Sequence, residues 1–132
     1  MSTLRLIVAL GGGGLSMEPE NPLLDDYTLR LPGKRRPRVC FVPTTSGDSQ
    51  PYIENFRSAF GPPRAAASLL LLFNRGRRSP RLILEHADVT YVGGGSTANM
   101  LAVWRLHGVD VLLRRAWRSG VVFTGISAGM NA

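Results

Sequence analysis

The stretch DVTYVGGGSTANMLAVWRLHGVDVLLRRAWRSGVVFTGISAGMNA, residues Asp88–Ala132, decides the fold. Val89–Val92 is an apolar run of strand length, broken by three glycines. Ser96 stands where a helix N-cap belongs, and a helical pattern runs on to Leu106 with Gly108 just beyond it. A second helical pattern spans about Val109–Ser119, closed by Gly120, and Val121–Thr124 is again apolar. A strand followed by helices and then another strand with no polar face is the signature of a parallel sheet covered on both sides.

The same alternation extends toward the N-terminus. Leu4–Leu10, Arg38–Val42 and Ala67–Phe73 read as three further strands. Gln50–Phe60 sets Tyr52, Ile53, Phe56, Ala59 and Phe60 on one helical face, and Pro62 and Pro63 stop it. A short helix is expected over Arg81–His86. Leu15–Pro37 carries Pro19, Pro22, Pro32 and Pro37 and reads mostly as loop. The expectation is one α/β domain over residues 1–132, mostly parallel and doubly wound, with the loops after the first, fourth and fifth strands meeting at one sheet edge.

Composition bounds the function. The 132 residues are 44% hydrophobic and 19% charged, with 15 glycines and nine prolines, which suits a globular domain rich in tight turns. The net charge of +7 is almost all arginine, since Lys34 is the only lysine. Arginines cluster in Gly33–Arg38, Arg75–Arg81 and Arg114–Arg118, but none of these matches a base-reading motif, so the preferred reading is solvated faces and no specific nucleic acid. The one cysteine, Cys40, has apolar neighbours and reads as a buried, inert strand residue in a cytoplasmic protein. No stretch approaches the ~20 apolar residues of a membrane span. No His/Cys/Asp/Glu group has metal-ligand spacing, and no cofactor is expected.

Gly125–Gly129, GISAG, matches G-x-S-x-G. That chemistry needs a serine on a sharp strand-to-helix turn, with small residues two positions either side, so that the hydroxyl of Ser127 projects above the sheet edge. The N–H of the next residue, Ala128, then faces a developing oxyanion. Such a turn requires positive φ at Ser127. Gly93–Gly95 precedes a helix and lets backbone approach a ligand closely, either as a phosphate site or as a second oxyanion donor. Gly11–Gly14 fails the dinucleotide pattern, because Ser16 and Met17 stand where its last glycine belongs, and it reads as a close-approach loop. His86 and His107 are the only histidines. His107 sits at a helix end and His86 just before a strand, so neither is favoured as the base for Ser127.

Together, GGGGLSMEPENPLLD, RVCFVPTTSGDS, YVGGGSTANMLAVWRLHGVD and GVVFTGISAGMNA resemble the dipeptidase E family of serine peptidases, relatives of aspartyl dipeptidase and cyanophycinase. The resemblance covers the N-terminal part of that family's domain. It implies a flavodoxin-like or class-I-amidotransferase-like fold, truncated after the nucleophile elbow. It implies Ser127 as nucleophile, with the N–H groups of Gly95 and Ala128 as oxyanion hole. The family commonly has asparagine after the triple glycine, where this chain has Ser96. Its catalytic histidine and acidic partner lie beyond the serine, so the chain alone is expected to be inactive or nearly so. The implied substrate is a short peptide, with Asp-initiated dipeptides the first to consider, and a homo-oligomer stays open. The rival reading is a non-catalytic remnant acting as an interaction or anion-binding module. An α/β-hydrolase esterase is disfavoured, because its nucleophile follows a longer run of strands.

Overall fold

A computed structural model describes residues 4–17, 20–73 and 78–132. Residues 75–77 of the second arginine cluster and Pro19 of the proline-rich segment lie outside the described residues. Five strands form one sheet: β1 (Ile7–Leu10), β2 (Arg38–Val42), β3 (Ala66–Leu69), β4 (Val89–Val92) and β5 (Val122–Ile126). Every neighbouring pair is parallel, in the order β1-β5-β4-β2-β3. Read from the other edge, β3-β2-β4-β5 repeats the 2-1-3-4 arrangement of flavodoxin-like sheets, with β1 in the fifth place.

Side-chain alternation splits the core between two faces. Val39, Phe41, Val89 and Tyr91 point to one side, where they meet Leu15 of α1 (Gly14–Met17), Leu29 of α2 (Leu23–Arg30) and Ile53, Phe56 and Phe60 of α3 (Gln50–Phe60). Phe41 stacks on Phe56 with ring centroids 4.5 Å apart. Cys40, Val42 and Val92 point to the other side, against α4 (Pro80–Glu85), α5 (Thr97–His107) and α6 (Val109–Arg118). The sheet is therefore doubly wound. Cys40 is fully buried, and burial pushes its thiol up to about 12, well above reactive range.

The α5–α6 pair has the expected punctuation. The Ser96 hydroxyl accepts the Asn99 N–H at 3.3 Å, and Gly108 takes a left-handed φ of 69° between the two helices. Three expectations need correction. Leu15–Pro37 is not loop throughout, since α1 runs to Met17 and Leu23–Arg30 is helical. Pro22 occupies the N-cap and Pro32 follows the C-cap Leu31, so these prolines bracket a helix and do not interrupt it. The third strand ends at Leu69 and not Phe73, because β3 is an edge strand whose one partner, β2, supplies register only as far as Phe41–Leu69. The first strand begins at Ile7 and not Leu4, again on an edge.

Candidate active site

Loops after parallel strands emerge at one edge of the sheet, and ligands in such folds gather where the strand order reverses. Here that point lies between β2 and β4. It brings together the loop Pro43–Ser49, the glycine turn Gly93–Ser96 and, beside them, the turn that follows β5.

Ser127 opens a 3-10 stretch, Ser127–Asn131, with its side chain exposed and φ of 53°. A non-glycine residue at positive φ is held there by its surroundings, at a strain on the order of 1–3 kcal/mol. The surroundings are backbone. A Cβ on Gly125 would collide with the carbonyl group of Gly129, and one on Gly129 would collide with that of Val92. Both flanking glycines of GISAG are thus required by main chain packed on main chain. A Cβ on Gly94 would come within 3.4 Å of the Ser127 Cβ and 3.9 Å of its Oγ, so the glycine turn borders the serine directly.

The donors of that turn can be accounted for one by one. Gly93 N–H bonds to the Val42 carbonyl at 3.2 Å, and Gly94 N–H donates to the Tyr52 hydroxyl at 3.0 Å. Ser96 N–H donates to the Thr45 carbonyl at 2.9 Å. Gly95, exposed and at φ of 146°, keeps its N–H unused among the described residues. The N–H of Ala128 sits in the first turn of the 3-10 stretch, where helical geometry offers no internal partner. Two backbone donors and one exposed hydroxyl therefore share the carboxyl-end edge of the sheet.

Thr45 and Tyr52 are the members that sequence reasoning missed. Thr45 lies in the loop between a strand and a helix, where no local pattern singles it out, and Tyr52 on a helix face that suggested only core. Their contacts reach across 42 to 49 residues of chain, which no local pattern reveals.

Neither histidine joins the site. His86 caps the C-terminal end of α4, exposed, with its Nδ1 2.7 Å from the Leu82 carbonyl oxygen. It precedes β4 and so lies at the opposite sheet edge. His107 ends α5, ten residues and about 15 Å along the helix from the glycine turn. The Ser127 hydroxyl makes no hydrogen bond among the described residues, nor do those residues contain a group of three metal-ligating side chains. They also contain no helix long and apolar enough to cross a membrane.

Residues 7–132 match the sequence profile of peptidase family S51. The chain is 48% identical over 126 residues to the uncharacterized peptidase YgaJ of Bacillus subtilis (strain 168), covering 96% of this chain and 55% of that protein. It is 32% identical over 108 residues to Peptidase E of Streptomyces coelicolor, covering 82% of this chain and 42% of that one. The crystal structure of a peptidase from an acI-B1 Actinobacterium superposes with a TM-score of 0.74 at 19% identity, covering 93% of this chain and 54% of that chain. The chain thus spans about half the length of the curated relatives it matches. With the family profile running through the glycine turn and the serine elbow to the last residue, the chain belongs to peptidase family S51.

Proposed function

We propose that this chain carries the nucleophile and the oxyanion hole of a serine peptidase acting on short peptides. Ser127 attacks the scissile carbonyl, and the N–H groups of Gly95 and Ala128 receive the negative charge that develops on its oxygen. The observation that carries the reading is the positive φ of an exposed Ser127 beside a glycine turn whose Gly95 N–H is left unused. Preorganised donors of this kind are worth most where charge develops, about 10²–10³ in rate for one of them.

The attack also needs a base to take the hydroxyl proton, and no histidine stands near Ser127 among the described residues. Turnover by the chain alone should therefore be residual, and a base must come from additional polypeptide. A cytoplasmic setting fits the single, buried Cys40.

The test is hydrolysis of Asp-initiated dipeptides by three proteins. They are this chain, the chain fused to the part of the Bacillus subtilis relative that follows the matched region, and the same fusion carrying Ser127→Ala. Turnover only in the fusion with Ser127 intact is the expected result. Turnover that survives Ser127→Ala refutes the nucleophile assignment, and substantial turnover by the chain alone refutes the need for an added base. A fusion that binds polyanions in a salt-sensitive way and hydrolyses nothing would favour a non-catalytic module.

A further inference from the structure

We infer that Thr45 is the positioning residue that aims the Gly95 N–H at the reacting carbonyl, an inference that rests on the serine-peptidase reading above. Thr45 sits in the loop after β2, on the far side of the glycine turn from Ser127, and is only 4% exposed. Its Oγ1 lies 2.7 Å from the Gly93 carbonyl oxygen and 2.7 Å from that of Gly94, and shares its one proton between them. Its own carbonyl accepts the Ser96 N–H at 2.9 Å. One residue therefore grips the turn from both sides of Gly95.

The grip fixes direction as well as place. With the carbonyls of Gly93 and Gly94 drawn toward Thr45, the peptide planes on either side of Gly94 are set. The Ser96 bond sets the plane that follows Gly95. Gly95 itself presses so closely on the Thr45 main chain that a Cβ there would lie 2.6 Å from the Thr45 carbonyl carbon. The Gly95 N–H is left as the donor that none of these bonds consumes. Thr45 touches no substrate in this arrangement and acts only through the turn.

Threonine combines a donor with a methyl group, and two substitutions separate them. Thr45→Val keeps the shape and loses the proton. Thr45→Ser keeps the proton and loses the methyl group. A packing role predicts that valine is tolerated and serine is not, and a positioning role predicts the reverse.

The readout is phosphonylation of the intact chain by a fluorophosphonate in alkaline buffer. Hydroxide there removes the Ser127 proton, the oxygen–phosphorus bond forms and fluoride leaves, so no histidine is needed. The phosphoryl oxygen occupies the place of the peptide oxyanion. We expect Thr45→Val to slow labelling about tenfold to a hundredfold, as small misplacements of catalytic groups do, and Thr45→Ser to stay near wild type. Amide hydrogen exchange supplies a readout independent of reactivity. Thr45→Val should speed exchange at Gly94 and Ser96 while the amides of β2 and β4 stay protected, which separates a loosened turn from a failure to fold.

Valine labelling as fast as wild type, or serine slowed as far as valine, overturns the inference. So does unchanged exchange at Gly94 and Ser96 in Thr45→Val. Labelling that survives Ser127→Ala, or none at all in the wild-type chain, would remove the nucleophile reading and this inference with it.

Discussion

Gly95→Ala measures how tightly the glycine turn is held. Gly95 has φ of 146°, which disfavours any side chain, and the added Cβ would be driven into the Thr45 carbonyl group, 2.6 Å from its carbon. Backbone strain of this kind is worth about 1–3 kcal/mol. Forced overpacking against a buried main chain adds about 1–3 kcal/mol. The sum, about 2–6 kcal/mol, is a large share of the roughly 5–15 kcal/mol by which domains are stable. Gly33→Ala is the matched control. Gly33 also has a left-handed φ, 69°, yet an added Cβ meets nothing within 4 Å, so only the conformational term of about 1–2 kcal/mol remains. With a urea slope of about 2 kcal/mol per molar, the Gly95→Ala midpoint should fall by about 1–3 M and that of Gly33→Ala by about 0.5–1 M. Equal midpoint shifts for the two variants would refute the claim that Thr45 and Gly95 are packed main chain on main chain.

Three other perturbations follow from buried polar groups and from the elbow. Thr44 is fully buried, and its hydroxyl accepts the Trp104 Nε1–H at 3.0 Å, so Thr44→Val should lower the unfolding free energy by about 1–3 kcal/mol while Thr44→Ser stays close to wild type. Burial pushes the Asp25 carboxyl up to about 6 from 3.8, against the opposing charge of Arg64. The folded state thus binds this proton more tightly than the unfolded one, and the stability present below about pH 4 is lost as pH rises through about 6. At about 1.4 kcal/mol per tenfold change in proton affinity the loss is on the order of 3 kcal/mol, and Asp25→Asn should flatten that slope in a urea series across the range. Gly125→Ala should abolish fluorophosphonate labelling of Ser127, because its Cβ cannot coexist with the Gly129 carbonyl; labelling at the wild-type rate would show that the elbow tolerates a wider turn.

The parts of this structure legible in its sequence were those encoded locally. Val39–Val42 and Val89–Val92 carry no charged residue on either face because both faces are covered, and Ser96 and Gly108 mark their helix ends through one-residue geometry. The pattern around Ser127 was legible because the elbow excludes every side chain at Gly125 and Gly129. The helix Leu23–Arg30 was hidden by its flanking prolines, whose meaning depends on whether they stand before or inside the first turn. The clasp by Thr45 and Tyr52 was hidden for another reason. Strand order decides that β2 lies beside β4, and neither composition nor periodicity carries strand order. The outer limits of β1 and β3 were overestimated because apolar residues continue past the point where a partner strand stops.

The strand order also bears on how the chain is built in time. Residues emerge in sequence, so β2, β3 and β4 can pair among themselves once Val92 has left the ribosome. β1, though made first, has no partner in that early sheet, because its one neighbour is β5. It must wait through the synthesis of more than a hundred residues, with Ile7 and the rest of its length unpaired. The arrival of Val122–Ile126 joins β1 to the remainder, and the next residue is Ser127. Closing a contact between such distant segments is slow, and an unpaired apolar strand is prone to aggregation while it waits. Sheet completion and elbow formation are then a single event in biosynthesis, and a ribosome stalled before Val122 would display a nascent chain with β1 still unpaired.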